Sequence, residues 1–486
     1  MSNNTDSAAD LVPENKPEAI NASCRLPVLF LFFSAAIWVV QASAVGVLGS
    51  LSMQIPGFLP DLSYLTYGRL QANAWVAFLF GFGGNAGLGL TLWMLSRLRG
   101  MELARPGFVV AGAVLWNVGV TAAMVGITMG DQPGVPGYEL PAYAGRVLFV
   151  GHALIAFSAV LTYFSRRHKQ LYPSSWYLIA SLVAFPWILG TAHWLLVENP
   201  VRGAAQIPAA HWAATSLQQV WLGSMGLAAL IYFIPKITQR ELHSRQWAGF
   251  GFWMLLILGG WVNLNSGSPI PVWSIKLSQL ASLLYIFVLV AVCWNLLQTA
   301  KGVPLIGSKD LTLKFMGASF ASWALVAFYT FGNVFLEWNN LLQFTYAATA
   351  MRHVFAWGFF GMAMFGAIYY VAPRLFGNEV DWACSGIYKW VFYSTGFGVV
   401  VVALAGMYFS YGHGHALQGS VAADVLAKKA LMPMRIAFFG ELAFFVGSMV
   451  FLSSMACLLF RNCCGECSPM SIIRQCRAAE SEGGAE

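Results

Sequence analysis

The sequence predicts an all-α integral membrane protein with about twelve transmembrane helices. Of the 486 residues, 58% are hydrophobic and 10% are charged, and the mean hydropathy is +0.64. A soluble protein carries about 25% charged residues. Apolar runs of about 20 residues, long enough to cross a bilayer, repeat along almost the whole chain. Because backbone groups in hydrocarbon must bond within the chain, we expect each run to be a helix.

The apolar runs form one membrane domain, residues 25–460, between two polar ends. Segment 1–24 contains Pro13 and Pro17 and has almost no aliphatic pattern, so we expect it to be disordered. The first run is too long and too far from the terminus for a cleaved signal peptide. In chain order the expected spans are 26–52, 64–96, 107–129, 143–165, 175–197, 211–234, 247–265, 272–298, 314–336, 344–372, 387–411 and 432–460.

The loops differ in charge, and this difference predicts the orientation of the helices. Lys and Arg concentrate after the even-numbered helices, as at Arg97, Arg99 and Lys236, whereas the opposite loops contain acids such as Asp131 and Glu139. Basic loops stay in the cytoplasm, so both termini should be cytoplasmic. The net charge of +7 follows from this bias, and we do not expect nucleic-acid binding.

Several polar residues lie at membrane depth, where they are costly and often functional. Arg352 stays charged at any accessible pH and therefore needs a partner. The partner could be an acid, a ring of acceptors, a heme propionate or a lipid headgroup, and Glu441 is one candidate. A structural ion pair is favoured over a proton-relay role. The polar residues at membrane depth are Asn73, Asn85, Gln218, Gln219, Asn263, Asn265, Arg352, His353, Arg435 and Glu441.

Two groups of residues are weak candidates for metal binding. The cytoplasmic tail 461–486 holds Cys463, Cys464, Cys467 and Cys476, which could form a metal site or carry lipids. Because the fourth cysteine has no usual zinc spacing, unmetallated reduced thiols are the simpler interpretation. Four histidines are expected near the outer ends of helices, and nothing in the sequence shows that they converge. These are His193, His211, His413 and His415.

Four strings resemble the catalytic subunit I of C-family (cbb-type) heme–copper cytochrome c oxidases and, more distantly, of nitric oxide reductases. They occur in the family's order on the expected helices, and the resemblance covers about residues 26–460. It implies a heme–copper-oxidase subunit I-like bundle in a bacterial inner membrane. The strings are 67–70 with 82–86, 137–141, 232–236 and 365–376.

The resemblance also implies six histidine ligands for two hemes and a copper, and most of them are absent from this chain. The family's His-x-His pair falls at Met351-Arg352-His353, which leaves His353 as a candidate ligand of a low-spin heme. Because no histidine lies between Arg245 and Lys276, the copper-binding pair is absent under any alignment. The positions that have lost ligands are Ala74, Thr215, Asn263, Leu264 and Met351.

These observations favour a non-catalytic accessory subunit, a relative of oxidase subunit I that lacks the binuclear heme–copper centre. We expect no copper and either no cofactor or one heme. The expected partners are other subunits of a respiratory complex, among them membrane-anchored c-type cytochromes, and membrane lipids. One alternative is a single-heme electron-transfer or oxidoreductase subunit that uses His353. Another is a transporter or sensor that uses the former heme cavity, which requires five polar residues to line one cavity: Gln218, Gln219, Asn263, Asn265 and Arg352.

Overall fold

The fold is a bundle of membrane-spanning helices. The structure, a computed structural model, describes residues 16–463 except 56, 59–60, 136, 166–170, 265–268 and 378–385. Within these residues the only β pairing is an isolated bridge between Val135 and Tyr138. Eleven of the described helices are long and apolar enough to cross a membrane, and a shorter twelfth lies between the sixth and the seventh of them. The predicted all-α membrane fold is therefore confirmed.

The twelve helices follow the order of the predicted spans, and a short helix, Leu336–Leu342, precedes the tenth. The bounds are α1 Pro17–Gln54, α2 Tyr67–Arg99, α3 Pro106–Met129, α4 Ala142–Phe164, α5 Pro173–Glu198, α6 Gly203–Thr238, α7 Arg245–Leu258, α8 Val272–Thr299, α9 Leu311–Gly332, α10 Ala347–Leu375, α11 Ile387–Gln418 and α12 Ala423–Phe460.

Helix α1 begins at Pro17, inside the segment that the sequence assigned to a disordered end. Proline is favoured in the first turn of a helix, because its fixed φ suits the helix and no N–H is needed there. In the next two turns of α1, Asn21 donates to the Arg374 carbonyl (3.1 Å) and Arg25 donates to the Leu375 carbonyl (2.6 Å). These contacts attach the start of α1 to the end of α10. Residues 1–15 lie outside the described part of the chain.

Helix α7 ends at Leu258, although the sequence predicted helix as far as residue 265. The chain then turns, and Asn263 adopts a left-handed conformation with φ of 65°. The backbone N–H groups of Asn263 and Leu264 donate to the hydroxyls of Ser282 (3.2 Å) and Ser278 (2.9 Å) on α8. These serines take the place of the helical partners that non-helical backbone at membrane depth would otherwise lack.

Three helices, α2, α6 and α10, form the inside of the bundle. In the most apolar stretch of each, 94%, 89% and 94% of the residues are buried, against 39% in α3. Each inner helix contains a π-helical segment near its middle, Ala77–Gly84, Ser216–Leu222 and Val354–Gly361 respectively. Such segments are rare and are frequent at functional sites. The inner helices also carry most of the positions at which ligands were expected.

Candidate functional site

Two neighbouring cavities lie between the inner helices. The first has a volume of about 300 Å³ and extends towards α1 and α12, and the second, of about 450 Å³, extends towards α7 and α9. Both are lined by Trp75 of α2, Arg352 of α10, and Val135 and Glu139 of the loop between α3 and α4. These shared residues place Arg352 and the loop at the boundary between the two cavities.

The first cavity holds the candidate heme ligand. His353 lines it, and so does Ala74, the position at which the resemblance places the opposite axial ligand. Nδ1 of His353 donates to the Thr349 carbonyl at 2.9 Å. This hydrogen bond selects the tautomer whose Nε2 keeps a free lone pair, as in many metal-binding histidines. The residues therefore fit one axial bond to a heme iron, and Ala74 offers no second ligand.

Aromatic rings line one side of the first cavity. Trp357 stacks on Phe444 with ring centroids 4.6 Å apart and planes 6° apart, and Phe78 lies 4.9 Å from Trp357. All three rings, together with Trp75, face this cavity. Flat apolar surfaces with a few polar groups are typical of sites for planar organic ligands.

The second cavity brings together the four other positions at which the resemblance implies that ligands have been lost. None of the four residues carries an imidazole or a thiolate, the groups that copper prefers in proteins. They are Thr215, Asn263, Leu264 and Met351. Within the described ranges, no three His, Cys, Asp or Glu side chains lie close enough together to hold a metal ion. The residues present therefore do not fit a copper ion with an opposing heme.

Hydrogen bonds between side chains occupy the polar groups on this wall. The Asn263 amide donates to the Thr330 hydroxyl at 2.9 Å and accepts from the Asn333 amide at 3.0 Å. His211 donates from Nε2 to the Val262 carbonyl at 2.7 Å. The Nε2–H of His211 is thus bonded to the backbone, and both the NH₂ group and the carbonyl oxygen of the Asn263 amide are hydrogen-bonded.

Four of the five polar residues that a transporter or sensor would need line the second cavity together. They are Gln218, Gln219, Asn263 and Arg352, and the fifth, Asn265, lies outside the described residues. Gln219 accepts a hydrogen bond from the Tyr285 hydroxyl at 3.2 Å. The Gln218 amide makes no hydrogen bond within the described part of the chain, so its donors and acceptor face the cavity.

The predicted ion pair between Arg352 and Glu441 is wrong. Among the described residues no carboxylate lies within 4 Å of the Arg352 guanidinium, which instead lies 5.4 Å from the centroid of the Trp75 ring. Glu441, on α12, lines only the first cavity, whereas Arg352 stands at the boundary. The acid whose charge acts on Arg352 is Glu139.

Glu139 is a cavity residue that sequence reasoning assigned only to an outer loop. Its carboxylate accepts from the Gly137 N–H at 2.9 Å. Burial raises the pKa of the Glu139 carboxyl, and this hydrogen bond and the charge of Arg352 oppose the rise. The residue stands in one of the strings that carry the family resemblance, but nothing in the local pattern shows that the loop folds over the cavities.

The other weak candidates do not form a common site. His193 lies near Glu198 (3.4 Å) and Tyr138 (3.5 Å), His211 lines the second cavity, and His415 packs on the Tyr411 ring. The remaining predicted histidine is His413, which is buried on α11. For the cysteine cluster, the side chain of Cys463 and the whole of Cys464, Cys467 and Cys476 lie outside the described residues.

Comparisons with known proteins agree with this architecture. Residues 27–452 match the family described as "Cytochrome C and Quinol oxidase polypeptide I". A "Cytochrome c oxidase subunit 1 homolog" of Azorhizobium caulinodans is 24% identical over 82% of this chain and 74% of its own length. The "Cbb3-type cytochrome c oxidase subunit CcoN1" of Stutzerimonas stutzeri is 23% identical over 71% and 74%. The resemblance inferred from the sequence is confirmed, and the chain belongs to the cytochrome c and quinol oxidase polypeptide I family.

Proposed function

We propose that this chain is an accessory subunit of a bacterial respiratory membrane complex and does not itself carry a binuclear heme–copper centre. The observation that supports the proposal is the wall of the second cavity. Asn263, at a copper-ligand position of the family, uses its amide to join Thr330 and Asn333. Where the resemblance implies imidazoles that hold copper, this chain has hydrogen-bonded side chains of Asn263, Thr330 and Asn333. The chain would then contribute its bundle, and not oxygen reduction, to the complex.

The outer surface of the bundle offers a place for partners and lipids. Large aromatic side chains are exposed on several outer helices, among them Trp187 of α5, Trp253 of α7 and Trp390 of α11. Relatives of the chain are named as oxidase subunits. We therefore expect other subunits of a respiratory complex, including membrane-anchored c-type cytochromes, beside lipids at this surface. The membrane would be the bacterial inner membrane, with both termini on the cytoplasmic side.

Metal and heme analysis of the protein purified from its native membrane tests the proposal. We expect copper well below one atom per chain and no spectrum of a high-spin heme. The matched control replaces three wall residues together, as Thr215→His, Asn263→His and Leu264→His, and we expect this variant to take up copper where the wild type does not. Stoichiometric copper in the wild type would contradict the proposal.

A second function has its own support, which is the orientation of His353. With Nδ1 bonded to Thr349, the free Nε2 belongs to an imidazole that lines an aromatic cavity. A heme held there would supply one-electron transfer. The test is a reduced-minus-oxidised spectrum, in which His353→Ala should remove the α-band. His211→Ala, in the second cavity, should leave the band unchanged, and a band that survives His353→Ala excludes this ligand.

A further inference from the structure

Arg352 presents its guanidinium to a cavity inside the membrane-spanning bundle. The group is charged at any accessible pH. In the described part of the chain it makes no hydrogen bond and no ion pair, and its guanidinium carbon lies 5.4 Å from the centroid of the Trp75 ring. Neighbouring residues surround Arg352 on all sides, but much of its side chain is accessible because it lines both cavities. A planar fork of five N–H donors therefore faces open space in the protein interior.

Neither of the nearby acids forms a direct ion pair with this charge in the described part of the chain. Glu139 acts on Arg352 through space, but it lies more than 4 Å away and accepts its hydrogen bond from Gly137. Glu441 lines the first cavity from α12 and does not reach the second. On the side of the second cavity the guanidinium shares the lining with the amides of Gln218, Gln219 and Asn263, and the Glu139 carboxylate, which also lines this cavity, stays beyond ion-pair distance.

The second cavity combines this positive charge with one amide group, that of Gln218, that has no hydrogen-bond partner in the described part of the chain. Gln218 makes no hydrogen bond within the described residues and lines the cavity together with Arg352. Guanidinium and amide groups together are the donors that recognise a carboxylate, since the guanidinium binds both oxygens at once. The volume of about 450 Å³ lies within the range of small-molecule sites. Ile207, in the first turns of α6, lines the cavity and is 43% exposed, so the cavity reaches the end of the bundle.

We propose that the second cavity binds a small organic acid, whose carboxylate pairs with Arg352 and whose further polar groups meet the amide of Gln218. The inference rests on the proposed absence of the binuclear centre, since a heme would fill the same space. It makes the chain a carboxylate sensor or carrier within its membrane complex. A heme also carries carboxylates, so the same chemistry has two sources that an experiment must separate.

Chemical modification of the full-length wild-type protein tests the site without a change of sequence. Phenylglyoxal is applied to the protein in lipid nanodiscs, and modified arginines are counted by mass spectrometry. Succinate and lactate, each at about ten times its dissociation constant, should slow the modification of Arg352 about 10-fold, because only the unliganded arginine reacts. Dimethyl succinate, which has no charge, should give no protection. Arg146, which pairs with Glu198 at the surface, is the internal control and should react equally throughout.

Two variants and a heme titration complete the test. Arg352→Gln should weaken succinate binding, measured by calorimetry, at least about 10-fold, and Gln218→Leu should weaken it less, because a neutral donor contributes less than a charged one. Modification of Arg352 at the same rate with and without either acid overturns the proposal. Protection by added hemin that neither acid displaces also overturns it in favour of heme carboxylates. Copper and heme contents of the same sample show separately whether the accessory-subunit proposal has failed.

Discussion

The hydrogen-bonded wall of the second cavity makes a quantitative prediction at Asn263. Its amide forms two side-chain hydrogen bonds, and its backbone is left-handed with φ of 65°. Each bond contributes about 1 kcal/mol. Alanine in a left-handed conformation costs about 1 kcal/mol more than glycine, which has no Cβ. We therefore expect Asn263→Gly to lower the free energy of unfolding by about 2 kcal/mol and Asn263→Ala by about 3 kcal/mol.

The measurement is reversible unfolding of the purified protein in mixed detergent micelles, followed by circular dichroism. We expect the wild type to be the most stable, Asn263→Gly to be less stable and Asn263→Ala to be the least stable. Asn199→Ala is the matched control, because this exposed residue after α5 makes no side-chain hydrogen bond in the described structure. The free energy of unfolding of Asn199→Ala should stay within about 0.5 kcal/mol of the wild-type value. If both Asn263 variants unfold like the wild type, the network contributes nothing and the account of this wall is incorrect.

Three further predictions concern the packing, the first cavity and the loop above it. Gly406→Ala should destabilise the fold by about 1–3 kcal/mol in the same unfolding measurement, because the new Cβ would stand 2.1 Å from the Ala350 Cβ, which has no other rotamer. Ala74→His should tighten hemin binding and produce a six-coordinate low-spin spectrum, whereas an unchanged spectrum would show that this position does not face the iron. Glu139→Gln should be more stable than the wild type at pH 7 and equally stable near pH 4. Burial raises the pKa of this carboxyl, so the wild type loses stability as pH rises through it; parallel pH profiles would contradict this.

Positions on long apolar helices could be placed from the sequence through the family resemblance, because its ungapped strings set the register of each helix. Ala74 and His353 were assigned to opposite sides of one heme, and they line one cavity. Thr215 and Met351 were assigned to another centre, and they line the other cavity.

Features that depend on contacts between distant segments could not be predicted. Arg352 and Glu441 share a depth in the membrane, but depth does not show which faces of α10 and α12 meet. Glu139 lies in a loop, where no period exists to indicate a buried side. The end of α7 depends on serines of α8, such as Ser282, which replace its helical hydrogen bonds from another part of the chain.

The early end of α7 has a consequence for biogenesis. Its 14 residues span about 21 Å, less than the hydrocarbon thickness of about 30 Å. While only α7 of this region has left the ribosome, the nascent chain offers the translocon a helix that is too short to span the bilayer by itself. Insertion must wait until Ser278 and Ser282 emerge, so that α7 and α8 enter the lipid as one hairpin. A ribosome stalled before these serines should leave α7 outside the hydrocarbon although α1 to α6 already anchor the chain, so a cysteine introduced in α7 should react with a water-soluble maleimide.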